Sequence, residues 1–186
     1  MRFLLRLAPH QEDRTKCLAS IKAIGSSLGA SVKHPRWTSY GALEVDVFSP
    51  SEPDFSLFLA AAEPLASVEF SRNLDEAPAF KSKEEVVKEA RGYFNAERFW
   101  ECHEGLEPLW RSTTGQERKL VQAIILVCAA QVHEQRDERD VALGIYRRAL
   151  PQIAWIKRDY QGINVAMLRR NVERSITKGE LPPFKI

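Results

Sequence analysis

Cysteine is scarce: Cys17, Cys102 and Cys128 lie far apart, with no CxxC and no even-numbered set. That excludes a disulfide framework and points to a reduced, cytoplasmic protein. Long apolar runs are missing as well. The longest, Ala123–Ala130, is far shorter than a membrane span. The opening MRFLLRLAPHQEDR holds only a short apolar-rich stretch broken by Arg6, too little for a signal peptide. A soluble chain with no membrane partner is therefore expected. There is no internal repeat and no low-complexity segment. The net charge of +2 singles out no polyanionic partner.

What the chain does have is enough apolar residue to fold. Its 186 residues are 44% hydrophobic and 28% charged, which suits one large domain or two small ones and excludes disorder of the whole. The charge is unevenly spread. Residues 1–80 carry eight Lys/Arg against ten Asp/Glu, and residues 81–186 carry nineteen against fifteen.

The first seventy residues alternate in type. Phe3, Leu5 and Leu7 recur at period two and predict a strand. Glu12–Leu28 follows with Cys17, Ile21, Ile24 and Leu28 at helical spacing, and Gly29 stands at the stop. Ser31–Trp37 is a second, poorer strand, and Ser39-Tyr40-Gly41 a turn. Leu43, Val45 and Val47 alternate with Glu44 and Asp46 as a half-buried strand. Pro53 opens an apolar helix to Ala62, and Val68 with Phe70 form a last short strand. The order β-α-β-β-α-β is the ferredoxin-like pattern. Its second sheet face would show Arg2, Leu4, Arg6, Glu44 and Asp46. That mixture is not the aromatic platform of an RNA-recognition sheet, so packing or self-association into a homo-oligomer is the expected role. His10 and His34 have no partner in sequence and are read as surface residues.

Ser71–Lys81, polar and holding Pro78, reads as the end of this α+β domain (residues 1–72) and a linker (73–81). A helical bundle at 82–180 and an extended tail at 181–186 complete the expected architecture. Ser82 with Glu85 forms a capping box. Val86, Val87, Ala90 and Phe94 make an apolar stripe that breaks at Asn95. Phe99–Trp110 is the next helix. Thr113-x-x-Gln116 reads as another capping box before Leu120–His133. A polar turn, Glu134–Asp140, precedes Val141–Leu150, which Pro151 is expected to end or kink. The last helix, Val165–Lys178, stops at Gly179.

Chemistry concentrates in FNAERFWECHEGLEPLWR, residues 94–111. On a helix His103 and Glu107 share a face, with Trp100 and Trp110 near the same stripe and Glu104 next to it. Burying such a pair requires that its polar groups be satisfied. Gln122, Leu126, Ala129 and His133 fall on one face of the following helix, and Gln122 or His133 could approach the pair.

This stretch resembles the helical family labelled "domain of unknown function 309". The shared features are an FN start, the core His103-Glu104-Gly105-Leu106-Glu107-Pro108-Leu109-Trp110-Arg111, the run Leu120–Ile125, His133, and Gly162-Ile163-Asn164-Val165. The resemblance covers about Glu84–Lys178 and implies a helical bundle, without implying an activity. Two positions depart from the pattern. Leu126 stands where the family often has a glutamine, which removes one polar group from the implied site, and Pro108 lies inside the motif.

Four readings follow. His103, Glu104, Glu107 and His133 offer the imidazole and carboxylate donors that Zn, Fe or Mn accept, so a divalent metal is one candidate cofactor. The spacing is neither HExxH nor the Glu-x-x-His of di-iron bundles. His103 held by Glu107 could serve as a catalytic acid–base pair, with Trp100, Trp110, Arg111 and Gln122 binding a small ligand. The same residues could instead form a satisfied network that fixes the helix register. Cys102 points away from its neighbour His103 and forms no Cys–His nucleophile. Finally, Ile145–Lys178 holds eight basic residues and two acidic ones. Arg147, Arg148, Lys157, Arg158, Arg169, Arg170 and Arg174, interleaved with Trp155 and Tyr160, could bind nucleic acid.

Overall fold

A computed structural model of the chain describes residues 1–8, 13–76 and 81–186. These form two compact units, Met1–Ala79 and Phe80–Ile186. His10, Glu12 and Pro78, on which some of the expectations above fall, lie outside the described residues.

The first unit is the expected α+β fold. Its elements are β1 (Arg2–Leu7), α1 (Arg14–Ser27), β2 (Ser31–Trp37), β3 (Leu43–Phe48), α2 (Glu52–Ala62) and β4 (Val68–Asn73). The strands make one antiparallel sheet in the order β2-β3-β1-β4. Alternation decides the faces. Phe3, Leu5, Leu7, Val32, Val45 and Val47 point to a core shared with Cys17 and Ile21 of α1 and Phe55 and Phe58 of α2. Phe3 and Phe55 stack with ring centroids 3.8 Å apart. Asp13 caps α1 by accepting from the N–H groups of Thr15 and Lys16, and Ser51 caps α2 by accepting from the Asp54 N–H. β2 is irregular because His34, exposed and at φ 52°, stands with Pro35 where the register shifts between Lys33 and Arg36. Gly41, at φ 91°, supplies the left-handed residue of the β2–β3 turn. β4 runs to Asn73, so Ser71–Asn73 belongs to the sheet and not to a linker.

On the other sheet face the charges pair across strands. Glu44 accepts from Arg6 and from Arg36, both at 2.8 Å; Asp46 accepts from Arg36 at 2.8 Å and from Arg2 at 2.6 Å. The register sets Arg6 opposite Glu44, and Glu44 opposite Arg36, so the ladder follows from the pairing itself. Arg6, Arg36, Glu44 and Asp46 are all buried.

The second unit holds α3 (Lys83–Asn95), α4 (Phe99–Ser112), α5 (Gly115–Glu134), α6 (Arg139–Ile153) and α7 (Val165–Lys178). The Ser82–Glu85 capping box is formed. α7 is capped by Asn164 and stopped by Gly179 in the left-handed region. One expectation fails. Thr113 and Gln116 make no capping box; Thr114 is the N-cap, with no side-chain hydrogen bond. Of the two outcomes expected at Pro151, the ending does not occur: α6 continues past it to Ile153, which is buried in the core. The segment after Gly179 packs back on the bundle. Leu181 and Ile186 are buried, the Phe184 ring centroid lies 5.3 Å from that of Phe94, and Asn95 Oδ1 accepts from the Ile186 N–H at 2.9 Å.

Candidate functional site

The motif sits on α4, and its placement follows from the helix's apolar stripe. Phe99, Cys102, Leu106 and Leu109, at spacings of three and four, turn into the bundle core. His103, Glu104, Glu107 and Arg111 consequently fall on the flank away from it. His103 and Glu107 are half-buried, and Glu104 and Arg111 are exposed. The expected buried His103–Glu107 network is not formed. His103 Nδ1 lies 3.1 Å from Glu104 Oε1, and Arg111 donates to Glu107 Oε2 at 2.6 Å. The nitrogen and oxygen donor atoms of His103, Glu104 and Glu107 nevertheless gather within 4.8 Å of one another.

The expected partners on α5 do not complete this cluster. His133 bonds through Nδ1 to Glu138, whose position just before α6 brings it within reach. His133 is therefore not one of the gathered donors. Gln122 makes no side-chain hydrogen bond among the described residues, and Leu126 packs against the core. Trp100 and Trp110 are partly buried, and Trp110 packs against the bundle core. The Trp110 ring lies under the Arg118 guanidinium, 4.4 Å from its centroid, while its indole N–H is buried without a partner.

The basic residues named from sequence distribute over α6, α7 and the connection between them. Arg147, Arg148, Lys157, Arg158, Arg170 and Arg174 are exposed. Arg169 is half-buried and donates to the Ala154 carbonyl at 2.9 Å.

Three arrangements were not visible in sequence. Cys102 and Cys128 meet in the core with their sulfurs 3.1 Å apart, and burial pushes the Cys128 thiol up. The side-chain amide of Gln131 donates to the Tyr146 hydroxyl at 2.6 Å, both buried. Glu117 Oε1 accepts from Lys83 and Tyr160, each at 2.9 Å. Those two hydrogen bonds hold the Glu117 carboxyl below its ordinary value.

Fold and site together define an α+β protein in which a ferredoxin-like unit precedes a helical bundle with an accessible His/Glu cluster on its second helix. Comparison identifies the bundle. Residues 87–145 match the family model "Domain of unknown function (DUF309)", a span that contains the whole His103–Arg111 motif. Through its helical half the chain belongs to this family. A crystal structure of a conserved hypothetical protein from Thermus thermophilus is similar at 30% identity. The match covers 49% of this chain and 95% of that one, with a TM-score of 0.44. No curated protein matches the chain. Neither description assigns an activity. No helix among the described residues is long and apolar enough to cross a membrane.

Proposed function

We propose that the protein binds a divalent metal ion through His103, Glu104 and Glu107 and uses it on a small-molecule substrate. The observation that carries this reading is the gathering of one imidazole and two carboxylates, with donor atoms within 4.8 Å of one another, on a solvent-accessible flank. Mixed nitrogen and oxygen donors suit Zn, Mn or Fe. Three protein donors leave a coordination position for water or substrate, as in catalytic and unlike structural zinc sites. An ion there would supply Lewis acidity. Arg111 takes one oxygen of Glu107, which orients the carboxylate while leaving the other oxygen available. Trp110, beside Glu107 on the same flank, would contribute wall to a substrate site. The reading takes the protein as cytoplasmic, in keeping with its three free thiols.

The test is metal content by mass spectrometry on untagged protein purified without chelator, followed by calorimetric titration with Zn²⁺ and Mn²⁺. Near-stoichiometric metal is expected in the parent and none in a His103→Ala, Glu107→Ala variant with unchanged circular dichroism. Parent protein that neither carries nor takes up metal would refute the site, as would a double variant that binds as the parent does.

A further inference from the structure

Trp155 is 40% exposed, the one tryptophan of the chain in that class. It lies just past the end of α6, and the helical geometry of Ala154 (φ −58°, ψ −33°) carries the helix path on toward it. Arg148 and Gln152, four residues apart, share one side of α6, and Trp155 follows three residues on, just past the helix end. The Gln152 amide reaching the Arg148 carbonyl at 3.4 Å fits that alignment. The end of α6 is joined to α7 through the Arg169–Ala154 hydrogen bond. That contact sets Arg169, in the second turn of α7, against the residue before Trp155; Arg170 is its neighbour in the chain, and Lys157 and Arg158 follow Trp155.

The charge here is unbalanced. Arg148, Lys157, Arg158 and Arg170 are exposed and form no ion pair among the described residues. The two acidic residues of the stretch are Asp159 and Glu173, and Glu173 faces Arg169 at 3.9 Å. An exposed indole beside several unpaired cations matches what a nucleic-acid strand offers, a base to stack and phosphates to neutralise.

We propose that this edge of the bundle binds single-stranded nucleic acid, with one base stacked on Trp155 and the phosphates held by Arg148, Lys157, Arg158 and Arg170. The surface shares no residue with the α4 cluster, so the fate of the metal reading does not decide this one. A duplex partner is disfavoured because a paired base cannot lay its face on Trp155.

The experiment is fluorescence anisotropy with the full chain and fluorescein-labelled oligouridylate and oligothymidylate, across a salt series. Four phosphate contacts predict a log–log salt slope of about −3 for a single strand. Loss of the stacked base in Trp155→Ala should weaken binding about tenfold, within the range known for base–aromatic stacking. Arg158→Glu with Arg170→Glu should abolish binding at about 100 mM salt and flatten the slope. Arg158 and Arg170 are exposed, so circular dichroism and melting of that double variant should stay at the parent values. Trp155 is 40% exposed, so Trp155→Ala should melt lower and is compared at a temperature where circular dichroism shows it folded. The proposal is overturned by an absence of binding at low salt or by variants that bind as the parent does. Binding to phosphatidylserine vesicles with none to either oligonucleotide would also overturn it, by showing the surface to be membrane-directed.

Discussion

Among single residues, burial separates those that hold the bundle from those free to act. His103 and Glu107 spend their polar groups on exposed neighbours, Glu104 and Arg111, in pairs that such exposure limits to at most about 1 kcal/mol each. Tyr146 and Gln131 are the opposite case. Tyr146 is fully buried, burial pushes its hydroxyl far above the ordinary tyrosine value, and the Gln131 amide is its partner at 2.6 Å. Tyr146→Phe leaves that amide in the core without an acceptor. It should cost about 1–3 kcal/mol, read as a lower urea midpoint at unchanged slope. Arg111→Ala in the same assay should stay within about 1 kcal/mol of the parent. Equal losses in the two variants would mean that the Tyr146–Gln131 bond carries no special weight.

At the scale of elements, periodicity was legible and packing partners were not. The alternation of Phe3, Leu5 and Leu7 and of Leu43, Val45 and Val47 marked two strands because a face that packs on helices must be apolar at every second residue. The Ser82 cap and the Gly179 stop were readable because each is a local hydrogen-bonding requirement. The motif helix is legible from its spacing, but which of its faces packs is not. Two tryptophans flank the His103 stripe, yet Phe99, Cys102, Leu106 and Leu109 supply the face that turns into the core. The meeting of Cys102 with Cys128 depends on how α4 and α5 are set against each other, which no local pattern encodes, whereas the capture of His133 by Glu138, five residues on, turns on the path of the short α5–α6 connection.

The sheet network tests the same distinction between local and packed charge. Glu44 is held by Arg6 and Arg36, and all three are buried. Removing a buried charge leaves its partners uncompensated, so Glu44→Ala should cost about 3–5 kcal/mol. The Arg2 side chain is 35% exposed and its buried partner Asp46 keeps Arg36, so Arg2→Ala should cost less than Glu44→Ala. Chemical denaturation of the two variants decides it. Similar losses would show that the ladder's strength does not follow burial.

Over the whole molecule, the net charge of +2 hides carboxylates whose folded environment favours ionisation. Asp13 accepts from the Thr15 and Lys16 N–H groups in the first unit. In the second, Glu85 accepts from the Ser82 N–H, and Glu117 from Lys83 and Tyr160. Each is held below its ordinary value, so the folded state binds its proton less readily than the unfolded chain does. The stability these groups contribute is complete above the unfolded-chain values, about pH 4, and is lost as pH falls through the lower folded values. The alkaline side has the opposite sign. Lys83 is raised by Glu117, and burial raises Tyr160, so their contributions hold below about pH 10 and fade as pH rises through the folded values. Urea midpoints measured across pH should therefore form a plateau with an acid limb and an alkaline limb. Glu117→Gln removes the titrating group that bonds Lys83 and Tyr160 and should make the acid limb shallower as pH falls below the ordinary glutamate value. An acid limb as steep in Glu117→Gln as in the parent would remove Glu117 from the account and leave the two helix-capping carboxylates to explain the loss.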